Sequence, residues 1–163
     1  MLPLLLALLC VVPPTTPVPS LTRVRPISDT SRSILNGAMR RSPTVVRLVS
    51  ELQELDVIVY VELGLEPMAA AGTTSILTTA GGTRMLRIVV SARLDPRRRM
   101  EVLGHELQHA LEIARANGVT NDVALHALYR RIGYSISNTS YETDDARAVE
   151  SLVRKELSRT EQR

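Results

Sequence analysis

Six consecutive residues, Gly104-His105-Glu106-Leu107-Gln108-His109, constrain this chain more than any other stretch. They lie inside a run with helical periodicity. In a helix, side chains four positions apart sit one turn apart and about 40° around the axis, so His105 and His109 stand over one another. Two imidazoles placed in this way can close on one tetrahedral metal ion, and zinc suits such a pair. Glu106 is adjacent but rotated away from ligation, where its carboxylate can take a proton from a water that the metal activates.

The flanking residues support the helix. Asp95-Pro96 supplies an N-cap and a proline in the first turn, and Asn117-Gly118 supplies a stop. Met100, Leu103, Leu107, Ala110, Leu111 and Ala114 fall within about 100° of arc and form the apolar stripe. His105 and His109 project from the other side of the helix. A histidine satisfied within a core would be expected on the stripe, so two that are off it and aligned with each other favour a ligand role.

The rest of the chain reads as one domain with an export segment in front. A length of 163 residues with 44% hydrophobic residues is ample for a core, and the absence of Trp and Phe makes that core aliphatic. Met1 to Val12 is almost entirely Leu, Val and Ala, too short to span a bilayer but matched to a signal-peptide core. Val18-Pro19-Ser20 offers a small residue for cleavage, although no Lys or Arg precedes the apolar run. Residues 1–20 are therefore expected to be a signal peptide of an exported chain, periplasmic or extracellular, or else an N-terminal membrane anchor. Cys10 is the single cysteine, so no internal disulfide can form. The net charge of +3 is scattered and has no interleaved aromatic residues, which argues against a nucleic-acid partner.

Residues 15–26, rich in Pro, Ser and Thr, read as a flexible spacer, and 29–40 as a weak helix. On this reading 21–41 is a linker and 42–163 is the folded domain. Ser42-Pro43 opens a core helix over 43–55, and the β-branched run from Asp56 to Leu63 is a buried strand. Thr74–Thr79 and Arg84–Ser91 flank Ala80-Gly81-Gly82-Thr83 as a hairpin, with Leu86, Ile88 and Val90 on one face and Met85, Arg87 and Val89 on the other. The second of these strands, just before the histidine helix, is a place where a peptide could add by backbone pairing; an ordinary structural edge strand fits equally well. A shorter helix follows from Asn121 to about Arg131. Ile132 to Tyr141 reads as a loop, and a last helix runs from about Tyr141 to Leu157.

A catalytic zinc site takes three protein ligands and keeps one position open. On the last helix, Glu142 projects into the apolar face formed by Ala146, Val149, Leu152, Val153 and Leu157, about 20° from Val149. A carboxylate entering such a face is costly unless paired or bound to metal, which makes Glu142 the expected third ligand. Glu150, at the margin of the face, is the alternative. Asp145 is expected to accept from a ligand histidine. Glu112 reads as solvated or ion-paired, because three ligands from one straight helix converge poorly. His126, Tyr134 and Tyr141 could reach a developing oxyanion, although packing or surface roles are the simpler reading. Arg97-Arg98-Arg99 reads as a solvated face.

This order of elements, with His105, Glu106 and His109 on one helix and Glu142 downstream, resembles the zincin metallopeptidases, and within them the gluzincin branch. The resemblance covers about Asp56 to Leu157. It implies an α+β fold in which a small sheet and hairpin pack on the histidine helix, with a backing helix and a C-terminal helix. It also implies zinc held by His105, His109 and Glu142, with Glu106 as general base and then acid in hydrolysis of a peptide or protein substrate. A non-catalytic zincin-like binding module with a structural zinc is the alternative. The related metzincin pattern would place glycine at 112 and histidine at 115, where this chain has Glu112 and Arg115. Gluzincins often carry an aspartate four residues after the glutamate ligand, where this chain has Ala146.

Overall fold

The computed structural model describes residues 22–65, 70–137 and 140–161; the segment expected to be a signal peptide or anchor lies outside them. Among the described residues no helix is long and apolar enough to cross a membrane. The elements run β1 (Val24–Pro26), α1 (Asp29–Arg41), α2 (Pro43–Gln53), β2 (Val57–Gly64), β3 (Gly72–Ala80), β4 (Thr83–Ser91), α3 (Pro96–Arg115), α4 (Asp122–Ile132), β5 (Tyr134–Ser137), β6 (Ser140–Glu142) and α5 (Asp144–Glu161). The architecture is therefore mixed α and β, consistent with the expected α+β class.

Polar caps set the helix starts. Ser42 accepts from Val45 N ahead of Pro43, Asp95 accepts from Arg98 N ahead of Pro96, and Asn121 accepts from Ala124 N. Each satisfies a backbone donor that the first turn leaves unpaired. The end of α3 is held from outside. Arg84, at the start of β4, donates to the carbonyls of Ile113, Ala114 and Ala116 at 2.6–2.9 Å.

The main sheet has the order β1-β2-β4-β3, parallel except for the β3–β4 hairpin. Gly81 and Gly82 turn that hairpin with φ of 56° and 83°, values that a side chain disfavours. Val57, Val59 and Val61 of β2 and Leu86, Ile88 and Val90 of β4 point inward, while Ile58, Tyr60, Arg87 and Glu62 lie on the other face. Thus β2 is buried on one face only, and β4, flanked by β2 and β3, has no free edge for a peptide. The sheet's edges are β1, only three residues long, and β3, which is the edge beside α3.

Three other expectations are corrected. The described end of the spacer, residues 22–26, and the weak helix are part of the domain: β1 pairs with β2, Ser28 and Ser31 form a capping box on α1, and Val24, Leu35, Ala38 and Met39 join the core. The loop between α4 and α5 contains the β5–β6 hairpin. The last helix starts at Asp144 rather than Tyr141, capped by Thr143 Oγ1, which accepts from Ala146 N.

At the centre lies α3, packed against α1, α2, α5 and the β3–β4 hairpin. Leu103, Leu107, Leu111 and Ile113 are fully buried, each stabilising by roughly 1.5–3 kcal/mol. Helix α5 approaches closely at Gly104, where a Cβ would sit 2.8 Å from Val153 Cγ2. Overpacking of about 1–3 kcal/mol should outweigh the helix-propensity gain of about 1 kcal/mol in Gly104→Ala. Urea unfolding should therefore show a lower midpoint, and Val153→Ala should cost less in that background than in the native chain.

Candidate metal centre

His105 and His109 occupy successive turns of α3, and their Nε2 atoms approach to 3.1 Å. The third group comes from β6: Glu142 Oε1 lies 3.4 Å from His105 Nε2 and 3.7 Å from His109 Nε2. Ligands bound tetrahedrally to zinc at about 2.0–2.1 Å stand about 3.3–3.4 Å apart, close to these separations. Glu142 is thus brought to the histidines, but by a route other than the one expected. It ends a strand two residues before α5, so its place is not set by the apolar face of that helix.

Carboxylates stand behind both rings. Glu112 Oε2 is 2.9 Å from His109 Nδ1, and Glu150 Oε2 is 3.2 Å from His105 Nδ1, the latter off the line of a good hydrogen bond. A carboxylate only accepts, so a neutral ring facing one keeps its proton on Nδ1. Both Nε2 atoms then turn bare lone pairs toward each other and toward Glu142. Glu142 Oε1 accepts from Thr143 N at 2.9 Å, but with both imidazoles neutral no donor lies between the three atoms, so they repel unless a cation joins them, and this is the chemistry of a metal site. His105, His109 and Glu142 could hold a metal ion.

A second layer of charge fixes the first. Arg98 Nη1 reaches Glu150 at 2.5 Å and buried Glu101 at 2.9 Å, and Arg154 joins the same two carboxylates at 2.7 and 3.0 Å. His105 first and then Arg98 hold the Glu150 carboxyl down to about 2, against the opposing effect of burial. Burial works against a charged His105, yet Glu150, Glu106 and Glu142 outweigh it and raise its pKa. The arginine run is therefore not a solvated face, since Arg97 also binds Glu101 and Arg99 donates to Ala92 O at 2.6 Å.

Glu106 faces β3 rather than the histidines' backs. Thr74 Oγ1 donates to its Oε2 at 2.7 Å, and Gly72 leaves room for Oε1, which a Cβ there would meet at 2.6 Å. Burial pushes the Glu106 carboxyl up, against the pull of the imidazoles and Thr74. A cavity of about 540 Å³ opens over Glu106, the metal group, Gly72 to Ser75, His126 and Tyr141.

Other candidates separate cleanly. His126 Nδ1 and Tyr141 Oη are 2.9 Å apart inside this cavity, and Tyr141 stacks on Tyr129, which meets His109 edge-on. Tyr134 instead bonds Arg147, and Asp145 is exposed, so it orients neither histidine. Glu112 is paired, the second of the two states expected of it, and takes the part expected of Asp145. Its signal was its position three residues after His109, on the same helix face. No protein-family model, curated protein or solved structure matches the chain.

Titration with zinc or cobalt(II) should find one ion per chain, and His105→Ala or His109→Ala should abolish it. Because the His105 pKa lies above its ordinary 6.5, protons should begin to compete above that pH. Affinity should therefore fall as pH drops through that region, measurable by chelator competition.

Proposed function

We propose that the chain is a zincin-like, zinc-dependent peptidase. The observation that carries this reading is one cavity wall holding three converging donors, a separate buried carboxylate and a free strand edge. Two imidazoles and one carboxylate are a donor set suited to zinc. A structural zinc takes four protein donors, and three converge among the described residues, which favours the catalytic form over a binding module.

His105, His109 and Glu142 would hold the ion, which when bound supplies a Lewis acid that acidifies a water and polarises a carbonyl. Glu106 acts beside it as the proton acceptor. Thr74 fixes one of its oxygens, the absent side chain at Gly72 leaves the other accessible, and burial makes the carboxylate more basic. The same carboxyl then returns the proton to the leaving amine. A substrate peptide pairs with the edge of β3 over residues 72–76, which brings its backbone past Glu106. His126 and Tyr141, already bonded to each other in the cavity, are placed to meet a substrate oxygen. The apolar Met1–Val12 segment supports action outside the cytoplasm, with peptides or proteins as substrates and no nucleic-acid role.

Glu106→Gln is the direct test. The variant should retain one zinc per chain and lose about 10²–10⁴-fold of hydrolysis, read on casein or a quenched-fluorophore peptide library. Undiminished turnover in that variant would remove Glu106 from the mechanism.

A further inference from the structure

Glu142 arrives on a three-residue strand, and α5 begins only after it, so something else must hold it against α3. Thr143, its neighbour, is buried, and its hydroxyl does two jobs. It accepts from Ala146 N at 3.1 Å to cap α5, and it donates its one proton to Glu112 Oε1 at 2.8 Å. The other oxygen of the same carboxylate, Glu112 Oε2, faces His109 Nδ1 at 2.9 Å. The side chain of Glu112 is only 8% exposed, so water does not substitute for either partner.

We propose that Glu112 is a positioning residue that ties the helix-borne His109 and the strand-borne Glu142 into one unit. This rests on the metal-site reading above and adds a specific division of labour to it. One oxygen keeps the His109 proton on Nδ1 and so bares Nε2. The other oxygen anchors the turn that carries Glu142, through the hydroxyl of Thr143. Among the described residues Glu112 bonds His109, Thr143 and, at a long 3.4 Å, Gln108, none of them on α5, so the two ligands are linked through this carboxylate. Glu150 serves His105 in a simpler way, because it sits on α5 and reaches back to one ring only.

Glu112→Gln separates the two arms. The amide oxygen can still accept from Thr143, but the amide NH₂ must then face His109 Nδ1. That contact is satisfied only when the His109 proton moves to Nε2, the nitrogen needed for the metal. Thr143→Val removes the second arm and leaves the first. Two measurements decide the matter: long-range proton–nitrogen NMR spectra of the imidazoles without metal, and zinc affinity by chelator competition.

In the native chain His109 should carry its proton on Nδ1. In Glu112→Gln the signals should change to the Nε2–H form, and zinc affinity should fall by about 10- to 100-fold. Thr143→Val should leave the His109 signals unchanged yet lose affinity by a similar factor, and Thr143→Ser should restore it. An unchanged tautomer in Glu112→Gln, or native affinity in Thr143→Val, would overturn the proposal. If Glu112→Gln does not fold, the native spectrum decides, because an Nε2–H form of His109 there is incompatible with the assigned role. The tautomer is read without metal. A native chain that binds no zinc would therefore refute the metal reading, while the spectra still judge Glu112.

Discussion

Two ring nitrogens 3.1 Å apart, each with a carboxylate at its back and a third carboxylate in front, set the terms for the rest of the structure. Proteins seldom gather acceptors without a donor, because each pair repels and each has given up water. The gathering here is enforced. Helix α3 is buried along most of its length, and Glu101, Glu106, Gln108 and His109 are polar groups within that burial. Each has a partner on another element or on the next turn, so none of them can relax into solvent.

That enforcement has a cost, which the arginine network offsets. Glu101 is buried and accepts from Arg97, Arg98 and Arg154, and Glu150 accepts from Arg98 and Arg154. Glu101 is the buried member, while the arginine side chains are 32–47% exposed, so solvent screens each pair and the network acts chiefly by fixing geometry. The network also clamps α3 to α5 where Gly104 lets Val153 approach. Packing and electrostatics thus locate the same helix crossing, within the turn that precedes the first histidine.

Much of this was legible in the sequence where the signal is local. Helix periodicity, the Ser42, Asp95 and Asn121 caps and the Gly81-Gly82 turn each depend on residues within a few positions, and the structure follows them. Expectations that needed long-range information were less secure. Val24 lies in a Pro-rich stretch, and only pairing with Val59 of β2 makes it core. Tyr134-Ser135-Ile136-Ser137 alternates in polarity as a strand should, but Gly133 and the run of Ser and Asn around it read as a loop. Glu142 was identified by projecting it on a helix that starts two residues later. Its placement is set outside that helix: Glu142 pairs with Tyr134 of β5, beside Gly133, where a Cβ would meet Glu142 O at 2.2 Å. Pairing was one of the two states expected of Glu112, but its link to Thr143 lies thirty-one residues away and left no local signal.

The edge strand carries the same tension between stability and use. A free strand edge invites pairing with any other chain, and natural sheets usually blunt it. In β3 the register shifts between Ile76 and Thr78, so Leu77 is the extra residue of a bulge, and bulges bend and twist an edge away from continued pairing. The half before the bulge, 72–76, is the half that lies over Glu106. On the proposed function this division is economical: pairing is possible where a peptide would meet the proton acceptor and is interrupted beyond it. Gly72 and Thr74 then serve two ends at once, since the residues that shape the Glu106 carboxylate are those whose backbone a substrate would read.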